Sequence, residues 1–299
     1  MVYLRAFRFL SRQEEEGYLQ GIYDTCYTTK YPFNVFRYRE LPIFEFEPIT
    51  ILYGTNGSGK STLLNVIAEK LKILHRTIYN RSSFFPDYVR LCEKDLSPHF
   101  YDKNLRKSKI ITSDDVFDYL IDIRHLNEGV DRNREELFEE YATIRGDVTS
   151  GSQWRMQSLA DYDTLRKYVD VSKKHASPSG FVRKYGVRNI DERSNGEEAL
   201  SFFTEQIEDH AIYLLDEPEN SLSAQNQLKL QQFIEESARF FHCQFIISTH
   251  SPFFLATKGA KIYNLDATPP APEKWTDLPN VRAYYELFEE HREEFLQTR

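Results

Sequence analysis

The sequence predicts an α/β fold in which a helical lobe is inserted into a core. Two short runs, Ala211–Leu215 and Gln244–Ser248, are almost entirely apolar, as expected for strands buried on both faces of a parallel sheet. Helical periodicity fills Ala224–Phe240 between them, and a strand, a glycine-rich loop and a helix follow one another near the N-terminus. Strand–helix alternation at both ends of the chain, with charged helical segments between, predicts this organisation.

The N-terminal part of the core is predicted to span residues 1–79. Its strand candidates are rich in aromatic and β-branched residues and are Val2–Leu10, Ile43–Phe46 and Ile49–Tyr53. Apolar residues then recur at helical spacing through Ser61–Leu74. The glycine-rich loop therefore lies between a strand and a helix.

Residues 80–193 are predicted to form the mainly helical lobe, because charge density rises there. The helical candidates are Asp114–Arg124, Arg132–Arg145 and Tyr162–Lys174, and the strand candidate of this region begins at Lys109. Residues 194–299 are predicted to complete the core. They end with a strand at Lys261–Leu265 and a charged helix at Val281–Leu296.

The glycine-rich loop matches the phosphate-binding P-loop pattern in full. The matching residues are Gly54, Thr55, Asn56, Gly57, Ser58, Gly59, Lys60 and Ser61, followed by Thr62. Glycines permit backbone angles that other residues resist, so the loop's N–H groups can surround a phosphate at the positive end of the next helix. Lys60 would supply charge to the β- and γ-phosphates, and Ser61 a hydroxyl to Mg²⁺. The loop alone does not choose between kinases, GTPases, helicases and ATP-driven switches.

Acidic residues follow the apolar run Ala211–Leu215 directly. Asp216 would lie at the carboxyl end of this strand, where open α/β sheets bind ligands, and it can hold Mg²⁺ through water. Glu217 is placed to orient or deprotonate an attacking water. The alternative is an ordinary acidic turn after a strand. His250 ends the other buried strand, where an isolated histidine is more often structural than functional.

A short Ser-Asn-Gly segment, Ser194 to Gly196, opens a predicted helix. Its N–H groups and the Ser194 hydroxyl can form a second anion site. The same residues are also typical of a plain helix cap. Both interpretations remain open from the residues alone.

In this order the pieces resemble the ATP-binding-cassette (ABC) ATPases. Gly54–Thr62 resembles Walker A, Ser194–Glu197 the signature loop, Ala211–Glu217 Walker B, and His250 the switch histidine. The loop's "TNGSGKST" form is similar to the SMC/RecF-like branch, and Cys26–Gly54 resembles small bacterial proteins described as predicted ATPases.

The resemblance implies an ABC-type P-loop core whose lobe lies between Walker A and the signature loop. It implies that two subunits face head to tail as an ATP-dependent homodimer. ATP bound at Lys60 and Ser61 of one would be capped by Ser194 and Gly196 of the other, with Glu217 activating water and His250 contacting the γ-phosphate. Lys60, Glu217 and His250 are thus the expected catalytic residues, Ser61 and Asp216 the expected metal ligands, and ATP and Mg²⁺ the expected cofactors.

Two departures from the family pattern stand out. Ser223 occupies the place where the family usually has an aspartate after Walker B. No glutamine follows the strand that begins at Lys109, where the family has its Q-loop. Asp114 or Asp115 is a hypothetical replacement facing Mg²⁺ or water, and a plain helix N-cap is the alternative. Gln153 and Gln157 are later candidates that follow no convincing strand.

Composition constrains partners and compartment. The net charge is −8, which argues against a protein held on nucleic acid by global charge, although the basic clusters Lys103–Lys109 and Arg183–Arg188 could contact phosphates. No apolar run is long enough to cross a bilayer, so no membrane insertion is expected. Three widely spaced cysteines and no signal-peptide pattern predict a cytoplasmic protein whose thiols are buried and reduced.

The sequence therefore predicts a soluble ATPase that dimerises on ATP and acts on DNA or a protein effector. Roles in DNA repair or anti-phage defence are suggested by analogy of fold only. Two alternatives stay open: a regulatory clamp that closes on ATP with little turnover, and the nucleotide-binding subunit of a transporter.

Overall fold

A computed structural model describes residues 1–22, 26–27, 29–37, 39–150, 162–173, 176–187 and 195–296. The strands in these residues are β1 (Leu4–Arg8), β2 (Phe44–Glu45), β3 (Ile49–Tyr53), β4 (Glu93–Leu96), β5 (Lys109–Thr112), β6 (Ile212–Asp216), β7 (Gln244–Ser248), β8 (Lys261–Asn264) and β9 (Ala271–Pro272). The helices are α1 (Arg12–Gln20), α2 (Lys60–Leu71), α3 (Phe85–Leu91), α4 (Asp102–Lys107), α5 (Ser113–Ser150), α6 (Tyr162–Ser172), α7 (Pro178–Tyr185), α8 (Asn195–Gln206), α9 (Ala224–Phe240), α10 (Pro252–Leu255), α11 (Pro279–Glu290) and α12 (Arg292–Leu296).

The larger sheet has the strand order β5-β6-β7-β3-β8-β9, and all its neighbours are parallel except β8 and β9. The central strands β3 and β7 are buried along their whole length, as their apolar sequences predict. The predicted α/β fold is confirmed. Because the strands run parallel, the loops after β3, β6 and β7 all leave the same edge of the sheet.

A smaller antiparallel sheet, in the order β2-β1-β4, packs beside the larger one. One buried side chain joins the two sheets. Gln244, at the start of β7, accepts hydrogen bonds from the backbone N–H groups of Tyr3 and Leu4 through its Oε1, at 2.9 and 2.8 Å. Its Nε2 donates to the carbonyls of Leu4 and Glu47. Backbone N–H and carbonyl groups of these segments therefore have hydrogen-bond partners inside the core.

Helix α2 is buried on most of its surface, because six of the nine positions from Leu63 to Leu71 carry apolar residues. Its buried positions include Leu63, Leu64, Val66 and Ile67, which belong to the same core cluster as β1 and β6 residues. An apolar helix of this kind is held by packing on all sides. The P-loop that precedes it is consequently anchored at both ends, by β3 and by α2.

The chain divides into two compact units, one of residues 1–117 and 195–299 and one of residues 118–194. The first unit extends beyond the core segment predicted as residues 1–79, since β4 pairs with β1 and β5 pairs with β6. The predicted lobe, residues 80–193, therefore contains strands of the core at its start. β5 matches the strand candidate that begins at Lys109, which was assigned to the lobe, whereas β4 has four residues of which three are charged, so apolar periodicity does not mark it.

The second unit has its own small core between α5, α6 and α7. Its buried residues are Leu137, Tyr141, Ile144, Val171, Phe181 and Val182. Asp170 is held by Lys173, Lys184 and Tyr185, and these bonds lower its pKa. Helix α5 joins two predicted helices into one of 38 residues. The segment between them has no proline, and short-range ion pairs such as Arg134–Asp131 favour continuous helix.

No helix in the described ranges is both long enough and apolar enough to cross a membrane. The cysteines differ in environment. Cys92 and Cys243 are buried, and burial raises the pKa of the Cys92 thiol to about 12 and that of Cys243 to about 11. Cys26 is exposed, which differs from the expectation that all three would be buried.

Replacing Gln244 with leucine is expected to destabilise the first unit. The substitution leaves the N–H groups of Tyr3 and Leu4 buried without an acceptor, which costs about 2–5 kcal/mol in free energy of unfolding. Urea unfolding followed by circular dichroism measures the change. Gln232→Leu on the exposed face of α9 is the matched control and should change stability by less than about 0.5 kcal/mol. Equal effects of the two substitutions would contradict the role of Gln244.

Candidate nucleotide-binding site

The P-loop adopts a conformation that requires glycine at two positions. Gly57 has φ +81° and Gly59 has φ +95°, both in the left-handed region that side chains rarely enter. A Cβ on Gly59 would also lie 2.4 Å from Cε1 of the buried ring of Phe36. The loop is tied to the end of β8, since Asp266 accepts hydrogen bonds from the N–H and the hydroxyl of Thr55. The backbone conformation of the loop therefore requires glycine at positions 57 and 59, and the Phe36 ring adds a steric requirement at position 59.

The ammonium of Lys60 lies inside the loop, and its side chain is only 3% exposed. It donates to the carbonyls of Gly54 at 2.9 Å and Thr55 at 3.3 Å, and it contacts Nε2 of His250 at 2.8 Å. Its fourth neighbour is Oε1 of Glu217, at 3.5 Å. Because an ammonium can only donate, Nε2 of His250 accepts, so the imidazole proton is on Nδ1.

Asp216 ends β6 beside the first turn of α2. Its Oδ1 accepts hydrogen bonds from the Ser61 hydroxyl at 3.1 Å and from the Ser248 hydroxyl of the neighbouring strand. Burial raises the pKa of Asp216, and the two hydroxyl donors oppose that shift. The two residues predicted to bind a metal, Ser61 and Asp216, are therefore in direct contact.

Glu217 has φ +47°, a strained backbone angle for a residue with a side chain. The conformation is held by its N–H, which donates to the carbonyl of Ser248 at 3.0 Å and lies 3.2 Å from the hydroxyl of the same residue. Its carboxylate lies 3.4 Å from Nε2 of His250 and accepts from Nδ2 of Asn220 at 3.1 Å. Strain of this kind is concentrated at functional sites.

His250 is positioned by a third acidic residue, which the sequence analysis did not identify. Oε1 of Glu219 accepts from the N–H groups of His250 at 2.6 Å and Ser251 at 3.2 Å, and from the hydroxyl of Thr249 at 2.7 Å. Burial raises the pKa of Glu219, and these donors oppose the shift. The carbonyl of His250 also accepts from Nδ2 of Asn280. The backbone around the histidine is therefore fixed from two sides.

An open cavity of about 410 Å³ lies at the mouth of the loop. The residues that line it are Val35, Asn56, Gly57, Gly59, Lys60, Ser61, Thr62 and Glu217. The hydroxyl of Thr62 is already engaged, since it accepts from the Tyr31 hydroxyl at 3.1 Å. The cavity size falls in the range of small-ligand sites. Six of its lining residues belong to the predicted cofactor-binding set.

The residues present fit a nucleotide with Mg²⁺. The space above Gly57 is open, the loop's backbone can approach a phosphate, and a cation stands at its centre. Among the described residues, no group of three or more His, Cys, Asp or Glu side chains could hold a metal. Mg²⁺ needs no such group, because it is commonly held by one or two protein oxygens, substrate phosphates and waters. Ser61 and Asp216 would supply the protein oxygens.

The second predicted anion site lies elsewhere in the chain. Helix α8 begins at Asn195, and Ser194 is outside the described residues. Gly196 packs against the start of α9, where a Cβ would lie 3.0 Å from Nδ2 of Asn226. Ser223, which replaces the family's aspartate, is the N-cap of α9. Gly196 is not among the residues that line the cavity at the P-loop of its own chain.

The helix-cap alternative describes Asp115. Its Oδ2 accepts from the N–H of Thr112 at 2.8 Å and from the Thr112 hydroxyl at 2.9 Å, at the start of α5. Asp114 is exposed in the same turn, and neither residue lines the P-loop cavity. The hypothesis that Asp115 faces Mg²⁺ or water is therefore not supported. Gln153 and Gln157 lie outside the described residues.

One protein-family model matches part of the chain. The profile of the AAA ATPase domain family matches residues 185–255, which include Asp216, Glu217 and His250. The match confirms the resemblance to ATPases predicted from the sequence. No curated protein matches the chain.

Similar solved structures include Smc heads and an ATP-binding cassette. The head domain of Smc from Pyrococcus furiosus, with an extended coiled coil and bound to the C-terminal domain of ScpA, is 16% identical with TM-score 0.40, and the match covers 84% of this chain and 95% of that chain. An Smc head bound to the C-winged helix domain of ScpA is 16% identical with TM-score 0.36, covering 81% and 94%. A dimeric ATP-binding cassette in a post-hydrolysis state, bound to ADP and Pi, is 13% identical with TM-score 0.34, covering 79% and 90%.

Replacing Gly59 with alanine is expected to weaken nucleotide binding at least tenfold. The new Cβ would stand in a left-handed conformation, which costs about 1–2 kcal/mol, and would collide with Phe36, so the loop must shift. Titration with a fluorescent ATP analogue measures the affinity.

Gly129→Ala in α5 is the matched control. No atom lies within 4 Å of a Cβ at that position, so the affinity should not change and the helix should gain about 0.5–1 kcal/mol. Wild-type affinity in Gly59→Ala would show that the loop tolerates a side chain there.

Proposed function

We propose that this protein is an ABC-type ATP hydrolase in which Mg²⁺ and ATP bind at the P-loop. The observation that carries the proposal is the contact between Lys60, Glu217 and His250 at the loop's mouth, beside the Ser61–Asp216 pair. A cation, a carboxylate and an imidazole then surround the position where the terminal phosphate would lie. The match to an AAA ATPase domain supports the same activity.

Binding is proposed to rearrange the Lys60 ammonium. In the structure the ammonium donates to the carbonyls of Gly54 and Thr55. Phosphate oxygens in the cavity offer stronger, charge-assisted partners, so the ammonium would turn toward them. That movement would release Glu217 from its nearest positive charge. Bound Mg²⁺ would neutralise phosphate charge, with Ser61 and Asp216 as its protein partners.

Glu217 is proposed to accept the proton of the attacking water. It is the acidic residue that lines the cavity, and its strained backbone directs the carboxylate toward Lys60 and His250. Once the Lys60 ammonium has turned toward the phosphates, Nε2 of His250 would carry the imidazole proton and donate a hydrogen bond to the phosphate that forms, while Glu219 holds the backbone of the histidine in place. Asp216 is half-buried and already engaged by two hydroxyls, so it is less suited to carry the proton.

A second chain is proposed to complete the site. Ser194 and Gly196 at the start of α8 would supply N–H groups to the phosphates of the partner's nucleotide, as the resemblance to ABC ATPases implies. ATP would then join two chains, because its charge is shared between positive loops on separate subunits, and hydrolysis would release them. The openness of the P-loop cavity within one chain supports this proposal.

The effector is proposed to be DNA or a protein, in DNA repair or anti-phage defence by analogy of fold. Only some of the described side chains in the basic clusters Lys103–Lys109 and Arg183–Arg188 are free of intramolecular partners and could contact such an effector. Lys107 pairs with Asp209, Lys109 with Gln206 and Lys184 with Asp170, while Arg188 lies outside the described residues. The second compact unit, residues 118–194, is the proposed location for effector contacts, since loops and inserted units commonly carry them.

Replacing Glu217 with glutamine is expected to trap an ATP-bound dimer. The amide preserves the shape of the side chain but cannot accept the proton, so turnover should fall about a hundredfold or more. Size-exclusion chromatography with ATP should show a dimer, and a phosphate-release assay should show the loss of turnover. Lys60→Ala is the matched variant that removes the phosphate contact, and it should remain monomeric with ATP.

Other outcomes separate the alternatives. A monomer in every condition would contradict the two-chain site. Negligible ATPase activity of the wild type, with dimerisation retained, would favour the regulatory clamp. Running the same chromatography with double-stranded DNA shows whether nucleic acid is a ligand, because it would elute with the Glu217→Gln dimer.

A further inference from the structure

A second cavity, of about 470 Å³, lies apart from the P-loop in the first unit. It is bordered by the residues after α2, by α4 and β5, by the first turn of α5 and by the last turns of α8. The residues that line it are Lys72, Leu74, His75, Arg76, Leu105, Arg106, Ser108, Lys109, Ile110, Ile111, Asp115, Phe202 and Gln206. None of them lines the P-loop cavity.

The buried carboxylate of Asp115 gives this cavity its most specific feature. The residue is only 2% exposed, and its Oδ2 is taken by the N–H and hydroxyl of Thr112. Its Oδ1 is also buried and has no hydrogen-bond partner among the described residues. A buried carboxylate oxygen without a donor costs free energy, so this oxygen is suited to a ligand that brings one.

His75 supplies a second polar atom without a partner in the described part of the chain, its buried Nε2. The ring stacks on Tyr79 at a centroid distance of 3.7 Å, so its plane is fixed. Burial lowers the pKa of His75, and the charges of Glu69 and Asp115 partly oppose that shift. A neutral imidazole can donate or accept, so Nε2 can bind either kind of group.

Cationic and apolar side chains complete the lining. The ammonium of Lys72 and the guanidinium of Arg106 are exposed, and neither forms an ion pair with a described carboxylate. The Arg76 guanidinium lies over the Phe202 ring, 5.6 Å from its centroid. Leu74 is 86% exposed and offers an apolar surface at the rim of the cavity.

We propose that this cavity binds a nucleotide whose base carries an exocyclic amine, cytosine or adenine. The amine would donate to Oδ1 of Asp115, and a ring nitrogen would face Nε2 of His75. The base would lie against Leu74 and the Arg76 guanidinium that covers the Phe202 ring, and the phosphate would face Lys72 and Arg106. The carboxylate-to-amine pair is the contact that acidic side chains make with cytosine N4 in nucleic-acid readers.

The proposed ligand is either a free nucleotide or the end of a single strand, since both present the same base and phosphate. The position suggests regulation. The cavity contacts the residues that follow the P-loop helix α2 and the end of α8, the helix whose other end carries Gly196. A ligand that contacts both helices would bias their relative position. Binding itself does not depend on ATP hydrolysis, so this inference can hold or fail independently of the proposed function.

The test compares CMP with UMP, which differ at one position by an amine and a carbonyl. Isothermal titration of the wild-type chain should show CMP binding at least tenfold tighter than UMP, because the UMP carbonyl would face the Asp115 oxygen. Lys60→Ala should bind CMP equally well. Loss of CMP binding in that variant would mean that the nucleotide occupies the P-loop, which overturns the proposal.

Asp115→Asn should reverse the preference. The N–H of Thr112 keeps the amide oxygen on its side, so the amide nitrogen takes the place of Oδ1 and offers a donor. We expect CMP affinity to fall about tenfold and UMP affinity to rise above it. Asp114→Asn, an exposed change in the same helical turn, is the matched control and should leave both affinities unchanged. The same CMP and UMP affinities in Asp115→Asn as in the wild type would overturn the proposal.

The phosphate contact has its own variant. Arg106→Glu should weaken the binding of CMP about fivefold at low salt, and Lys229→Glu on the exposed face of α9 should leave it unchanged.

A comparison of tetracytidylate with CMP distinguishes a strand end from a free nucleotide as the ligand. Tighter binding of the oligonucleotide indicates a strand end, and equal or weaker binding indicates a free nucleotide. Absence of binding by CMP, AMP and tetracytidylate to the wild type would refute the site.

Discussion

The positive charge of Lys60 is the constraint on which the candidate site depends. A buried ammonium is stable only where carbonyls and anions surround it, because transfer of an unpaired charge from water costs many kcal/mol. The curled P-loop provides the carbonyls of Gly54 and Thr55, and the loops after β6 and β7 provide Glu217 and His250. The same contacts explain why the glycines, the acidic residue after β6 and the histidine after β7 must all meet at one point.

The parallel sheet brings these segments together. In the register of β6 and β7, Asp216 lies opposite Ser248, and the Ser248 hydroxyl binds the Asp216 carboxylate. The backbone of Ser248 also holds Glu217 in its strained conformation. A slip of one residue would turn every side chain to the other face, so the buried apolar pattern of the two strands also fixes the chemistry at their ends. Core packing and site geometry therefore have the same origin.

The features that the sequence predicted well are those set by local pattern. Strands β3 and β7 and helix α9 have the predicted bounds, because their apolar residues follow one period without interruption. The rule that parallel strands bind ligands at their carboxyl ends predicted the place of Asp216, whereas a site that combines Lys60, Glu217 and His250 was expected only from the resemblance to ABC ATPases. Phe36, Glu219 and Asp266 were not predicted. Each acts through contacts with segments distant in the chain, and Thr55 and Asp266, for example, are separated by 211 positions.

The boundary of the lobe was missed for a related reason. Strand β4 consists of Glu-Lys-Asp-Leu with mostly exposed side chains, and its place in the smaller sheet comes from pairing with β1. The ion pairs Arg5–Asp95 and Arg8–Glu93 cross that pairing, so the charges that hide the strand in the sequence also stabilise it in the fold. Charge density alone therefore does not separate a solvated helical lobe from an edge strand.

Two carboxylates near the ends of adjacent strands, the half-buried Asp216 and the buried Asp115, show how one sheet edge can support two different sites. Thr112 at the end of β5 lies opposite Asp216 at the end of β6. Oδ1 of Asp216 accepts hydrogen bonds from two hydroxyls. A metal ion could replace these hydroxyl donors as the partner of that oxygen. Asp115 uses one oxygen to cap α5 and leaves the other buried without a donor. The arrangement at Asp216 therefore suits a cation. The free oxygen of Asp115 is better matched by a neutral amine, because one hydrogen bond gives that oxygen a donor without disturbing the cap of α5.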